Sequence, residues 1–252
     1  MKIALIGSGN IATVFGERFR AGGHTVAQVM SRNAAHAQAL ASTLESAWTD
    51  QPEALVTDAD AYVLAVSDSA VYEMAAWLRR PNALVVHTAG AVSVKALEPV
   101  SPRHGVLYPL QSIRKEVSTP LRIPILIDGA DADTLLLVRS LGEAISDMVF
   151  PTDDAQRLRL HVGAVLVNNF PNYLYTLTEA WLRGQGVDFS YLQPLMEETV
   201  RRLAGYSPAE VMTGPAYRGD QKTIALHESL LEGELLEWYQ LFTERIMATY
   251  HR

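Results

Sequence analysis

Residues 3 to 12 read Ile-Ala-Leu-Ile-Gly-Ser-Gly-Asn-Ile-Ala: an apolar strand, a glycine turn and the start of a helix. This order of residues suits a pyrophosphate. Gly7 permits the tight turn, Gly9 lets the backbone approach the phosphates, and small Ala12 lets the helix lie close on the strand. The backbone at Ser8, Asn10 and Ile11 brings amides to the positive end of the helix dipole, which favours an anion. A bare G-x-G-x-x-A match is weak. Here a strand precedes it, a helix follows it and a second strand comes at the expected distance, so a dinucleotide site is expected.

The helix from about Asn10 to Ala21 is expected to stop at Gly22-Gly23. The next strand, Thr25 to Met30, should end beside the adenosine ribose. An NAD-selective site places Asp or Glu there, whereas this chain has Ser31-Arg32-Asn33. Arg32 can hold a 2′-phosphate through charge-assisted hydrogen bonds, and Ser31 and Asn33 offer further donors. NADP(H) is therefore expected over NAD(H).

Ligands of open α/β sheets bind outside the carboxyl ends of the strands. Ala61 to Val66 is one such strand and ends at Ser67-Asp68-Ser69, where Ser67 or Asp68 is a cofactor contact, a helix cap, or both. Ala83 to His87 is another and ends at Thr88-Ala89-Gly90, so the nicotinamide is expected near Val66, Ser67 and Thr88. His87 is either a structural residue or an acid. Gly105 to Tyr108 leads into Pro109-Leu110-Gln111-Ser112. Pro109 holds Tyr108 extended, and the Tyr108 phenol and Gln111 amide point to one crevice or belong to an ordinary loop. A tyrosine there can donate to a carbonyl oxygen during hydride transfer.

A long helix, Asp153 to Trp181, carries His161, Asn168, Asn172 and Glu179 at offsets of 7, 4 and 7. At 3.6 residues per turn these share one face. They interrupt an apolar run, Val162 to Val167, and form either a structural network or one wall of a substrate site. His161 is the acid candidate and Asn168 the orienting amide, while Asn172 and Gln111 are substrate contacts. Further on, Arg218 in Thr213 to Asp220 is either a carboxylate partner or part of a structural turn.

These positions require alternating strands and helices over the first 150 residues. Further strands are expected at Ile123 to Ile127 and Asp147 to Phe150, with a helix at Ala34 to Thr43 and another at Thr134 to Ile145. Strand signals stop at Thr152, and helices follow at Tyr191 to Leu203, Gln221 to Leu231 and Glu234 to Tyr250. The fold class is thus α/β: a Rossmann-type, doubly wound, mostly parallel sheet (1–150), then an all-α domain (151–252).

The 252 residues are 48% apolar, carry a net charge of −7 and include no cysteine. Disulfides, thiolate nucleophiles and Cys-ligated metals are excluded, and no metal site is expected. Without a basic run, nucleic acid and anionic membranes are not expected partners. No apolar stretch reaches the roughly 20 residues of a membrane helix, so a soluble, cytoplasmic protein is expected. G-x-S-x-G, H-E-x-x-H and P-loop motifs are absent, which leaves esterase, zinc-protease and kinase readings without support.

The chain resembles, nearly end to end, a bacterial family of Rossmann-like proteins with a C-terminal domain of unknown function. The resemblance rests on Gly7 to Ala12, His87-Thr88-Ala89-Gly90-Ala91, Tyr108 to Ser112, Ala164 to Asn169 with Asn172, and Thr213-Gly214-Pro215 through Asp220. More distantly it is similar to pyrroline-5-carboxylate reductase and to deazaflavin-dependent NADP oxidoreductases. That kinship implies a nicotinamide-binding first domain, a helical second domain that often dimerises and an active site between them. The chain lacks the long-helix lysine of β-hydroxyacid dehydrogenases and the threonine-rich glycine turn of pyrroline carboxylate reductases, so proline synthesis does not carry over. The expected function is NADP(H)-dependent hydride transfer to or from a small polar carbonyl or imine substrate by a homodimer. The alternative is an NADP(H)-binding regulator or sensor without turnover.

Overall fold

The computed structural model describes residues 1–116 and 122–251. Strands β1 (Lys2–Ile6), β2 (Thr25–Met30), β3 (Ala47–Thr49), β4 (Ala61–Leu64), β5 (Leu84–His87), β6 (His104–Pro109), β7 (Ile125–Gly129) and β8 (Val149–Pro151) form one sheet. Their order is β3-β2-β1-β4-β5-β6-β7-β8. Each pairing is parallel except that of β6 with β7. The strand order reverses between β1 and β4, which opens a crevice at their carboxyl ends.

Both faces of the sheet are covered. Residues of β1 alternate between two cores, as the strand period of two dictates: Ile3 and Leu5 enter one, Ala4 and Ile6 the other. The first core takes Phe15 and Phe19 from α1 (Asn10–Ala21), Leu44 from α2 (Ala34–Leu44) and Leu141 from α4 (Ala132–Glu143). Each fully buried phenylalanine contributes about 1.5–3 kcal/mol. The second core takes Val71 and Met74 from α3 (Asp68–Trp77). Helix α1 crosses α2 closely at Gly16, where a Cβ would lie 2.5 Å from Cδ1 of Leu44.

The helix stops at Gly22-Gly23 as expected, with Gly23 in the left-handed region at φ +82°. Strand β3 was not anticipated. It has three residues, too few for a visible alternation, and is held by pairing to β2.

The long helix is not continuous. It comprises α5 (Asp154–Ala164), a π-helical turn at Val165–Asn169 and α6 (Phe170–Gly184). Pro171 has no N–H for the carbonyl of Val167, and the wider turn lies at the place where that bond is lost. The extra residue in the turn shifts everything beyond it, so the single polar face extrapolated from His161 to Glu179 does not exist. Nor is the run between them buried: Val162, Leu166 and Val167 are exposed.

The chain forms two compact units, Met1–Asn168 and Asn169–Arg252. Their junction lies beyond the Pro151-Thr152 boundary expected, because α5 is tied to the loop after β5. The second unit is helical among the described residues, with α7 (Gln193–Arg202), α8 (Pro215–Arg218), α9 (Gln221–Glu228) and α10 (Gly233–Tyr250) following α6. Tyr173 of α6 donates to Glu234 of α10 at 2.9 Å. Ile224 is its one buried side chain among the described residues.

Candidate active site

A cleft of about 420 Å³ opens at the reversal point of the sheet, lined among others by Gly7, Ser8, Ser31, Arg32, Val66 and Ser67. Gly7 adopts φ +116°, and a Cβ there would lie 2.1 Å from the carbonyl oxygen of Ala65, so only glycine closes this turn. At Gly9, the residue before α1, a Cβ would meet nothing within 4 Å. Open space in front of that amide is what an approaching phosphate requires. Asn10 and Ile11 form the first turn of α1 and Ala12 is fully buried against the sheet.

Ser8 donates its hydroxyl to Ser31 at 2.8 Å, and the Asn33 amide donates to the same oxygen at 3.4 Å. With both lone pairs engaged, the hydroxyl hydrogen of Ser31 is left for an acceptor in the cleft. The Arg32 side chain has no hydrogen-bond or ion-pair partner among the described residues. The side-chain oxygen of Asn33 caps α2, accepting from the His36 amide at 3.0 Å, which leaves its amide nitrogen as a donor. Ser67 occupies the cap position of α3, yet its side chain makes no cap bond. Its hydroxyl lies 3.4 Å from that of Ser69 and faces the cleft. These groups fit a phosphorylated dinucleotide: amides at the turn, a spare hydroxyl, a free guanidinium, and no carboxylate at the end of β2.

Farther along the carboxyl edge, Tyr108 Oη lies 2.8 Å from Nδ1 of His161, with the rings in a T-shaped contact. β6 carries the tyrosine and α5 the histidine. Burial, reinforced by the charge of Asp68, raises the Tyr108 pKa above the usual phenol range. The phenol therefore keeps its proton beside the imidazole. Gly90 closes over the pair: a Cβ there would lie 2.9 Å from both Nδ1 of His161 and Cζ of Tyr108.

A buried network sets the position of α5. Arg157, 1% exposed and one turn before His161, donates to the carbonyl of Val92 at 2.6 Å and pairs with Asp154. Asp154 also accepts from the Val94 amide at 3.0 Å and from the Ser93 hydroxyl. The sequence reading missed both residues; the signal available was the i, i+4 spacing of Arg157 and His161.

His87 belongs to this network and not to the acids. It is fully buried, its Nε2 lies 3.3 Å from the Ser93 carbonyl, and its Nδ1 accepts from the Ala89 amide at 3.2 Å. Burial, with the Arg157 charge, lowers its pKa to about 4. With both nitrogens committed to backbone and no exposure, it has no path to a substrate. Thr88 is nearly buried and bonds through amide and hydroxyl to the Leu64 carbonyl at the strand end.

Gln111 ties the loop after β6 together. Its amide donates to the Arg122 carbonyl at 3.1 Å and accepts from the Ser112 amide at 2.9 Å. Asn168 lies exposed in the π-helical turn. Asn172 and Arg218 are exposed on the second unit, and Glu179 pairs on the helix surface with Arg183. Arg218 ends the short α8 and its charge helps, after the Thr223 hydrogen bonds, to hold Asp220 below the usual carboxylate range.

A family described as NADP oxidoreductase, coenzyme F420-dependent, matches residues 2–90, and a domain of unknown function, DUF2520, matches residues 123–246. A Bacteroides fragilis protein, provisionally named an NADP oxidoreductase, is 30% identical over 98% of both chains, with a TM-score of 0.91. The chain belongs to the Rossmann-like family that carries the DUF2520 domain. The fold extends further: a reductive aminase from Aspergillus terreus, solved with NADPH and ethyl-5-oxohexanoate, is 17% identical over 98% of this chain and 94% of its own, at a TM-score of 0.71. A pyrroline-5-carboxylate reductase from Coxiella burnetii is 18% identical over 99% and 97%, at 0.57. No curated protein matches the sequence. In family terms, the cleft and Gly90 fall within the oxidoreductase match, and His161 within the DUF2520 match.

Proposed function

We propose that this protein is an NADP(H)-dependent oxidoreductase that moves a hydride to or from a small polar substrate bearing a carbonyl or imine. The observation that carries the reading is the Tyr108–His161 pair at the carboxyl edge of a sheet whose reversal point holds the phosphate-fitting cleft. The bound nicotinamide would supply the hydride chemistry. Gly7, Ser8, Gly9, Asn10, Ile11 and Ala12 hold the pyrophosphate, Ser31 and Arg32 the 2′-phosphate, and Val66, Ser67 and Thr88 form the wall toward the nicotinamide.

The pair supplies the proton. The hydrogen-bonded Tyr108–His161 unit gives one proton to the substrate during reduction and takes one back from solvent. Such general acid catalysis contributes roughly a factor of 100 to 10,000. Asn168 is the orienting amide in this reading. A regulator without turnover needs no such pair, and the pair therefore favours the enzyme.

We also propose a cytoplasmic homodimer built on the helical unit. Its exposed Tyr191, Leu195, Val200 and Tyr206, with only Ile224 buried among the described residues, support a covering partner copy. No described helix is long and apolar enough to cross a membrane. The direct test is to establish NADPH binding and then follow NADPH oxidation against keto acids, aldehydes and cyclic imines. Consumption with one of these classes supports the enzyme; tight binding with no turnover of any class overturns it in favour of the regulator.

A further inference from the structure

The phosphate-fitting cleft has a second wall, formed by α3. Helix α3 lines it with one stripe, Ala70, Glu73, Met74 and Trp77, at helical spacing. Ala70 lies in the first turn beside Ser67, whereas Trp77 is the last residue of the helix. Seven residues of helix span about 10 Å, so the stripe runs from the phosphate end of the cleft to its far end. Pro52 also lines the cleft. A nucleotide anchored by its pyrophosphate at Gly7 to Gly9, and by its 2′-phosphate at Arg32, has its base left for that far part.

Glu73 is an exposed carboxylate on the wall of a cleft suited to a polyanion, and its side chain has no hydrogen-bond or ion-pair partner among the described residues. Facing phosphate it would repel; to be compatible with the ligand it must meet a donor. The adenosine half of the nucleotide has two kinds of donor, a ribose hydroxyl and the exocyclic amine of the base. The ribose lies between the two phosphate groups, where a carboxylate would meet negative charge at close range. The amine stands on the far edge of the base, away from both. Beside it, buried Met74 and exposed Trp77 offer an apolar surface for a flat ring.

Resting on the NADP(H) reading, we propose that Glu73 accepts a hydrogen bond from the exocyclic amine of adenine while Met74 and Trp77 contact the ring, making this cleft selective for an adenine nucleotide. A hypoxanthine nucleotide puts a carbonyl oxygen where the amine stood, and that oxygen faces the carboxylate unfavourably. A glutamine at 73 accepts from the amine or donates to the carbonyl, and so tolerates either base.

The experiment compares dissociation constants of NADPH, its hypoxanthine analogue and NADH for the full chain, wild type, Glu73→Gln and Trp77→Ala. The wild type should bind NADPH about tenfold more tightly than the hypoxanthine analogue, the size expected of a charged hydrogen bond. Glu73→Gln should bring that ratio within about twofold, and Trp77→Ala should weaken both nucleotides together by about tenfold. Equal binding of the two by the wild type, or an undiminished ratio in Glu73→Gln, overturns the proposal; if NADPH is still preferred over NADH, the cofactor reading survives it. Failure of the wild type to bind NADPH overturns both.

Discussion

Tyr108 and His161, 53 residues apart in the chain, meet through a single hydrogen bond of 2.8 Å, and their ring centroids lie 5.8 Å apart. Each holds the other in place: the hydrogen bond and the T-shaped ring contact orient both side chains. His161→Gln and Tyr108→Phe should each cut turnover by roughly a hundredfold or more. NADPH affinity should remain within about threefold, because neither side chain lines the phosphate cleft. Steady-state kinetics with a titration of NADPH binding checks both; unchanged turnover in His161→Gln removes that residue as the acid.

Gly90 is predicted to be intolerant of a single methyl group. A Cβ 2.9 Å from both His161 Nδ1 and the Tyr108 ring forces the pair apart. Misplacement of catalytic groups by well under the width of an atom costs on the order of tenfold to a hundredfold in rate. Gly90→Ala should therefore lose turnover while NADPH binding stays near that of the wild type. Full activity in this variant would show that the pair does not need its observed geometry.

Acid should weaken the fold through His87. Its pKa falls from 6.5 in the unfolded chain to about 4 in the folded one, because burial and the Arg157 charge disfavour imidazolium. Between these values the unfolded chain takes up a proton that the folded chain refuses. The stabilisation is complete above pH 6.5 and is lost as the pH falls toward 4, by about 3 kcal/mol in all. Urea unfolding at pH 7 and pH 5 should reveal the loss, and His87→Gln should flatten it. Equal slopes in the two proteins would assign acid sensitivity elsewhere.

The helical unit should not stand as a monomer. Light scattering is expected to give twice the 27.7 kDa of one chain. Leu195 on α7 is 63% exposed, and Leu195→Glu should shift the mass toward one chain by charging an apolar contact. A monomeric wild type at micromolar concentration would contradict the homodimer.

Much of the first unit is legible in the sequence because its signals are local. Gly7, Gly9 and Ala12 sit between a strand and a helix, and the first helix and second strand follow at the expected residues. β3 is too short to show a period. The stripe from His161 to Glu179 fails because it carries a 3.6-residue period through Pro171, where the helix widens. Tyr108 and His161 are each visible as candidates, but their meeting is a tertiary event between β6 and α5. Arg157 is almost fully buried, which nothing local in the sequence signals, since its carbonyl partner Val92 lies in the loop after β5. His87 sits at a strand end like a functional group, and only the packing around it shows that both nitrogens are taken. Glu73 and Trp77 acquire meaning only once α3 is seen along the cleft wall.

The central claim is a phosphate on the 2′ position of the bound nucleotide, received by Arg32 and Ser31. Calorimetric titration of the full chain with NADPH and with NADH, alongside Arg32→Ala, tests it most directly. The wild type should bind NADPH roughly tenfold to a hundredfold more tightly than NADH, and Arg32→Ala should reduce that preference to within about threefold. Equal affinity of the wild type for the two nucleotides, or a preference for NADH, would contradict the account.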